Sequence, residues 1–231
     1  MPTRIAVLAS GRGSNLRALL EYLEARGARR GGEVVLVASD RADAGALGLA
    51  RERGIAAEQL MPGDERSLAR TLERHRAGLI VLAGYLRLVP ESIVRAHPGR
   101  ILNVHPALLP AFGGVGMYGE RVHHAVLASG ARVSGVTVHF VDESYDRGPI
   151  VAQWPVPVFP DDTPHALAAR VLRAEHRLLP RVVDAVAAGR VRLVDGRAVG
   201  FASRGASDAA FLLSAADDAA LSAAMDSALA C

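Results

Sequence analysis

Several residue types are scarce or missing in this sequence, and each scarcity narrows the kinds of protein it can encode. Lysine is absent, so arginine supplies every basic side chain other than histidine. The single cysteine, Cys231, excludes an intramolecular disulfide and argues against a zinc site built from cysteines. No run of about 18 apolar residues predicts a membrane span. This cysteine usage predicts a cytoplasmic protein.

The charge pattern points away from polyanionic partners. The formal net charge is +3, and basic residues do not form a dense block interleaved with aromatic side chains. We therefore expect neither a nucleic-acid surface nor a membrane-bound segment. The apolar stretch from Ile5 to Ala9 is short and ends in a glycine-rich turn, which indicates a first strand and not a signal peptide.

Apolar runs alternate with helix-like stretches along the chain, the pattern of an α/β fold. It predicts one domain with a Rossmann-like, mostly parallel central sheet flanked by helices. Strands are predicted over 5–9, 34–38, 55–60, 79–83, 101–104, 133–141 and 151–159, with a hairpin over 191–199. Helices are predicted over about 16–23, 43–53, 65–76, 121–128 and 164–188.

The composition changes beyond Gly200, where alanine, serine and aspartate dominate. We expect a catalytic domain over 1–199 and a peripheral, partly mobile C-terminal tail over 200–231.

Asparagine occurs only twice, and each asparagine lies in a motif that suits chemistry. Asn103 opens the run Asn103-Val104-His105-Pro106 at the end of a predicted strand. Side chains two apart on a strand point to the same side, and a following proline favours extended geometry at His105. A carboxamide beside an imidazole can polarise a carbonyl and manage a proton. This pair predicts an enzyme.

The second asparagine, Asn15, closes the turn Ser10-Gly11-Arg12-Gly13-Ser14-Asn15 between the first strand and the first helix. Glycines let such a turn expose its N–H groups, and a helix N-terminus favours an anion. Gly13, Ser14 and Asn15 are therefore candidate phosphate ligands. The alternative is a structural turn with Ser14 as the helix N-cap. Without a full G-x-G-x-x-G or a Walker lysine, a small phosphorylated substrate is favoured over a dinucleotide or ATP.

Asp146 lies in a polar loop between two predicted strands, before Gly148 and Pro149, which favour a fixed turn. If both strands flank the Asn103 strand, the carboxylate can reach His105 and raise the pKa of its imidazole. The alternative is an aspartate that only stabilises the turn.

Other polar side chains are predicted to support the site, or their role is left undecided by the sequence. Thr137 and His139 share one strand face, and we expect them to support the site. Arg87 follows a buried strand and either lines a pocket or is solvated. Glu175 lies on the long last helix, where most glutamates are solvated, and His123 is expected to be structural or exposed.

Taken together, six segments resemble phosphoribosylglycinamide formyltransferases, the folate-dependent enzymes of purine synthesis. These segments are 7–16, 82–88, 102–110, 136–142, 146–149 and 175–176. Asn-x-His-Pro-x-Leu-Leu-Pro followed by Asp-x-Gly-Pro is typical of folate formyltransferases, and the glycine-serine-asparagine turn is typical of the glycinamide ribonucleotide branch. The resemblance spans about 4–194 and does not cover the tail.

The resemblance implies a role for each matching residue. Asn103, His105 and Asp146 would be catalytic, and Glu175 would contact the ribose of glycinamide ribonucleotide, whose phosphate would rest on the Gly13–Asn15 turn. The residues implied to contact folate are Leu86, Arg87, Leu88, Val89, Val141 and Asp142. The cosubstrate would be 10-formyltetrahydrofolate, and the chemistry needs no metal.

Two features depart from many relatives, and the resemblance leaves alternatives. Arg147 stands where relatives often have a small residue, and the stretch from Gly113 to Arg121 is longer than in some of them. A formyltetrahydrofolate hydrolase is expected to carry an N-terminal regulatory domain, and a methionyl-tRNA formyltransferase a C-terminal RNA-binding domain. Another amine acceptor, a catalytically silent module and a homodimeric assembly stay open.

Overall fold

The chain folds around a seven-stranded sheet in which five adjacent strands are parallel. The computed structural model describes residues 1–61 and 64–200, together with residues 223, 225 and 226. The strands of this sheet are β1 (Thr3–Leu8), β2 (Gly32–Ser39), β3 (Ala56–Gln59), β4 (Leu79–Leu82), β5 (Ile101–His105), β6 (Val133–Phe140) and β7 (Ile150–Pro157). Their order is β3-β2-β1-β4-β5-β6-β7, with β6 and β7 added as antiparallel strands. The predicted α/β, mostly parallel sheet is confirmed.

Helices cover both faces of the sheet, which explains why its central strands are apolar on both sides. The helices are α1 (Ser14–Arg26), α2 (Gly45–Glu52), α3 (Glu65–Arg74), α4 (Glu91–Ala96), α5 (Glu120–Ala128) and α6 (Pro164–Ala187). Ile5 and Val7 of β1 lie in one apolar core cluster, whereas Ala6 and Leu8 lie in the other. Alternate side chains of one strand therefore supply two separate cores.

Side-chain caps fix the starts of two helices. The Asp64 side chain accepts a hydrogen bond from the N–H of Ser67 at the start of α3. Thr163 does the same for the N–H of Ala166, with Pro164 in the first turn of α6. The short helix α4 was not predicted, because its six residues span too few turns to show a periodicity.

Two possibilities that the sequence left open do not occur in the structure. The N-cap of α1 is Gly13, with φ 84°, and Ser14 is the first helical residue. A glycine is needed there because a Cβ would lie 2.9 Å from the Cα of Ala46. Of the two strands that border the Asp146 loop, β6 is a neighbour of β5, whereas β7 pairs with β6 on the side away from β5.

The described residues beyond the sheet contact the same core. A hairpin of β8 (Arg192–Val194) and β9 (Arg197–Val199) follows α6, as predicted. Met225 is fully buried, and Asp226 accepts a hydrogen bond from Arg181 of α6 at 2.5 Å. The rest of the predicted tail over 200–231 lies outside the described residues, apart from Gly200 and residue 223. In the described part of the chain, no helix has the length and apolarity required to cross a membrane.

Candidate active site

The register between β5 and β6 brings four polar side chains together. Asn103 pairs with His139, and His105 pairs with Thr137, across the antiparallel ladder. Opposite residues on such strands have neighbouring side chains on the same face. Asn103 and His105 of β5 therefore lie beside His139 and Thr137 of β6, the two residues predicted to support them.

Asp146 completes this group from the loop between β6 and β7. Asn103 Nδ2 donates to Asp146 Oδ1 at 3.3 Å, and His105 Nδ1 lies 3.5 Å from Asp146 Oδ2. His139 Nε2 lies 3.7 Å from Asp146 Oδ1. The sequence-based expectation that Asp146 reaches His105 holds, although the loop brings it across β6 and not from a second flanking strand.

Backbone carbonyls determine which ring nitrogens carry protons. His105 Nε2 donates to the carbonyl of Phe112 at 2.8 Å, and His139 Nδ1 donates to the carbonyl of Phe140 at 2.8 Å. A carbonyl only accepts, so each of these nitrogens bears a hydrogen. His139 Nε2 is then free to accept from Asn103 Nδ2 at 3.1 Å. The two amide hydrogens of Asn103 are thus shared between His139 and Asp146.

Burial has a larger effect on the pKa of His105 than the Asp146 carboxylate has. Burial lowers the pKa of His105, and the nearby Asp146 and the bond to Phe112 offset this only in part. Asp146 therefore raises the pKa of His105 as expected, but burial outweighs this effect and the net shift is downward. Burial also favours the protonated form of Asp146, but His139, His105 and the N–H of Gly114 together hold the pKa of Asp146 below its ordinary value.

The backbone around the carboxylate is held in an unusual conformation. Asp146 has φ 54° and Phe112 has φ 56°, which non-glycine residues rarely adopt. The N–H of Gly114 donates to Asp146 Oδ2 at 3.0 Å. Gly148 is required next to it, because a Cβ there would overlap the carbonyl oxygen of Phe140. Such strained positions cluster at functional sites.

These side chains form one wall of a cavity of about 700 Å³. Its lining includes the catalytic candidates Asn103, His105 and Asp146, together with His139, which is predicted to support them. The lining also includes five residues for which folate contacts are predicted: Leu86, Arg87, Leu88, Val89 and Val141. Asp142 is the exception, since it lies outside the lining and accepts a hydrogen bond from the N–H of Ser144 at 2.9 Å.

The glycine-rich turn reaches the same cavity at its other end. Asn15 and Arg12 line the cavity, whereas Gly13 and Ser14 do not. The first N–H groups of α1 lack intrahelical acceptors, as at any helix start. An anion at this end of the cavity would meet those N–H groups and the Arg12 side chain.

Glu175 is buried and points at Asn15, contrary to the usual solvated helix glutamate. Asn15 Nδ2 donates to Glu175 Oε2 at 2.6 Å, and Asn15 Oδ1 has no hydrogen-bond partner. Burial raises the pKa of Glu175 to about 7, although the bond from Asn15 acts to lower it. The unpartnered amide oxygen and the protonatable carboxyl suit a ligand that carries hydroxyl groups.

Thr137 supports the chain after β5 and does not line the cavity. Its Oγ1 donates to the carbonyl of Ala107 at 2.6 Å and accepts from the N–H of Leu109 at 3.0 Å. Gln153 of β7 donates to the carbonyl of Leu109 at 2.8 Å and to Thr137. Sequence reasoning missed Gln153, whose only signal is its place opposite Thr137 in the β6–β7 register.

Two further cavity residues were missed or misjudged. Arg12 belongs to the glycine-rich turn but was not selected as a ligand. His123 of α5 is buried, lines the cavity and has an unpartnered Nδ1. Its spacing from the buried Val122 and Val126 could have placed it on the inner face of α5. In the described residues, no group of three His, Cys, Asp or Glu side chains is arranged to hold a metal ion.

Comparisons with known proteins agree with this geometry. A family model described as Formyl transferase matches residues 3–183. The chain is 46% identical over 197 residues to a chloroplastic phosphoribosylglycinamide formyltransferase of Arabidopsis thaliana, an alignment that covers 82% of this chain and 67% of the plant protein. It is 35% identical to the phosphoribosylglycinamide formyltransferase of Escherichia coli over 201 residues, covering 84% and 92%.

A solved structure gives the same picture. Glycinamide ribonucleotide transformylase 1 from Symbiobacterium toebii matches with a TM-score of 0.78 at 41% identity. The match covers 85% of this chain and 93% of that protein.

Proposed function

Because the chain belongs to the formyl transferase family, we propose that it transfers the formyl group of 10-formyltetrahydrofolate to the amine of glycinamide ribonucleotide. The products are formylglycinamide ribonucleotide and tetrahydrofolate, in de novo purine biosynthesis. Relatives named for this activity support the choice of acceptor. The observation that carries the proposal is the convergence of Asn103, His105 and Asp146 on one wall of a cavity that also receives the glycine-rich turn.

The two substrates occupy opposite ends of the cavity in this proposal. The ribonucleotide phosphate lies at the N-terminus of α1, near Asn15 and Arg12, and its ribose contacts Glu175. The folate lies against the segment Leu86–Val89 and the wall at Val141. The reacting amine and formyl carbon then meet at Asn103, between the two ends.

The reaction makes a carbon–nitrogen bond and breaks another. The amine attacks the formyl carbon, and the carbonyl electron pair moves onto oxygen to give an oxyanion. The carbonyl then re-forms, and the bond to N10 of the folate breaks with its electron pair on nitrogen, which takes up a proton. The attacking nitrogen must lose a proton along the way.

Asn103 and His105 stabilise the oxyanion. One amide hydrogen of Asn103 turns from Asp146 or His139 to the formyl oxygen, and removal of such a donor typically costs about 3 kcal/mol of barrier. His105 has a lowered pKa before reaction, but negative charge on the formyl oxygen favours its charged form. His105 thereby gains charge when the oxyanion develops.

Asp146 manages the proton of the amine. Its lowered pKa keeps it a carboxylate at neutral pH, able to accept that proton directly or through one water. Its short distance to His105 lets the two groups share the proton. A cytoplasmic location, a homodimeric assembly and independence from metals, membranes and nucleic acids are further parts of this proposal.

The direct test mixes the purified protein with 10-formyl-5,8-dideazafolate and glycinamide ribonucleotide and follows deformylated folate by absorbance. Release that depends on the ribonucleotide is the expected result. Release without the ribonucleotide would instead indicate a hydrolase. Folate binding without release would indicate a silent module or another amine acceptor.

A further inference from the structure

The cavity segment Gly84–Val89 has no helix or strand of its own, yet it forms the wall proposed for folate. It follows β4, which is a neighbour of β1, and β1 is a neighbour of β2. The residues that leave the carboxyl ends of these three parallel strands therefore meet. Among them are Ser10 after β1 and Asp40 after β2, neither of which lines the cavity.

Ser10 and Asp40 form a chain of hydrogen bonds that ends on this segment. The N–H of Leu86 donates to Ser10 Oγ at 3.1 Å, and Ser10 Oγ donates to Asp40 Oδ1 at 2.6 Å. Asp40 Oδ2 accepts from Arg87 Nε at 2.9 Å. One carboxylate thus holds the backbone of Leu86 through Ser10 and the side chain of Arg87 directly.

The hydrogen bonds of Asp40 to Ser10 and Arg87 differ from a surface ion pair, because Ser10 and Asp40 are largely buried behind the Gly84–Val89 segment. Ser10 is 5% exposed and the Asp40 side chain 9% exposed, whereas the Arg87 side chain is 51% exposed and reaches the cavity. Hydrogen bonds to charged groups in such partly enclosed places are among the stronger ones. The charge of Asp40 acts from behind the wall, on residues that contact the ligand.

We propose that Asp40 is a positioning residue for the folate cosubstrate, acting through Ser10 and Arg87. The inference rests on the proposed function, because it assigns the supported wall to the folate. Loss of Asp40 frees the Leu86–Arg87 segment, so only a minor fraction of the molecules keeps the wall in the conformation that binds folate. The apparent affinity for folate falls in proportion to this fraction. Ser10 begins the glycine-rich turn, but the other end of that turn is held at the ribonucleotide site by the hydrogen bond from Asn15 to Glu175 of α6, so affinity for the ribonucleotide is kept.

The test compares Asp40→Ala and Asp40→Asn with the matched control Asp43→Asn, which removes a fully exposed carboxylate paired with Arg41. We expect KM for the formylated folate to rise about tenfold in Asp40→Ala, with KM for the ribonucleotide and kcat within about twofold. Asp40→Asn keeps the shape of the side chain, so its kinetics can be measured even if Asp40→Ala does not fold. The control keeps all three parameters.

Binding measured without turnover separates this inference from the proposed function. Titration of the protein with 5,8-dideazafolate by calorimetry should show the same loss of affinity in the Asp40 variants as the KM. If the wild-type protein binds the folate analogue but does not turn over, the proposed function fails while this comparison still decides the role of Asp40. If the wild-type protein does not bind the analogue, both proposals fail.

A double-mutant cycle tests whether Asp40 acts through Arg87. In an Arg87→Gln background, Asp40→Asn should add less than half of its effect in the wild-type background, because the shared contact is already gone. Equal rises in both KM values, or unchanged KM for folate, would overturn the proposal. A lower KM for folate would also overturn it, since Asp40 would then compete with the ligand for Arg87.

Discussion

Replacement of Glu175 by glutamine should remove a pH dependence of stability that the wild-type protein carries. The carboxyl is buried, with Asn15 as its hydrogen-bond donor, and burial raises its pKa to about 7. Glutamine has the same shape and still accepts a hydrogen bond, but it cannot ionise. The variant therefore isolates the cost of a buried negative charge.

The magnitude follows from the pKa values of the two states. The ordinary pKa of this carboxyl is 4.5, so between pH 4.5 and about 7 the folded protein keeps a proton that the unfolded chain has lost. Stability then falls as the pH rises through this window, and the fall is complete above the folded pKa. At about 1.4 kcal/mol per pKa unit, the total is about 3 kcal/mol.

Urea unfolding of both proteins, without substrates, measures this difference. From about pH 5 to about pH 8, the free energy of unfolding of Glu175→Gln should rise relative to wild type by about 2.5 kcal/mol. Other titrating groups are common to both proteins and cancel. Glu24→Gln, which changes an exposed carboxylate on α1, should follow the wild-type curve. Parallel pH curves for wild type and Glu175→Gln would refute the reasoning.

Three further substitutions test the site and its scaffold. Asp146→Asn should lower kcat at least about 100-fold and leave substrate binding largely unchanged. The control Glu143→Gln, on the same loop, should stay active. A near-native kcat in Asp146→Asn would contradict the role of Asp146 as acceptor of the amine proton. Asn15→Ala should raise KM for the ribonucleotide more than KM for folate in steady-state assays, and equal rises would remove the phosphate assignment. Gly13→Ala should lower the free energy of unfolding by about 1–3 kcal/mol, because φ is 84° and a Cβ would touch α2, whereas Gly11→Ala in open space should not. Equal unfolding of these two glycine variants would argue against that packing.

The sequence predicted the elements that repeat a regular pattern. Apolar runs such as Ile5–Ala9 identified the strands, and the two-residue spacing of Asn103 and His105 placed both on one face. The hairpin over 191–199 was also predicted, because its two short strands are joined by a tight turn. These features depend on local geometry, which a single sequence contains.

Features that depend on strand order were not readable from the sequence. The pairing of β1 with β4 and the contact of Asp40 with Arg87 join segments that are far apart in the chain. The net direction of the His105 pKa also required the fold, because burial had to be weighed against the charge of Asp146. Asp40 lies in no motif that marks it, so only its hydrogen bonds reveal it.

The place of β1 inside the sheet, between β2 and β4, has a consequence for synthesis on the ribosome. This strand is the first of the sheet to be synthesised, but its neighbours β2 and β4 begin at residues 32 and 79, so its β4 edge lacks a partner long after its β2 edge can pair. Met225 joins the same apolar cluster as Ile5 and Val7. Native structure therefore forms late in translation, and nascent chains stalled before residue 79 expose an apolar strand edge that invites association and chaperone binding.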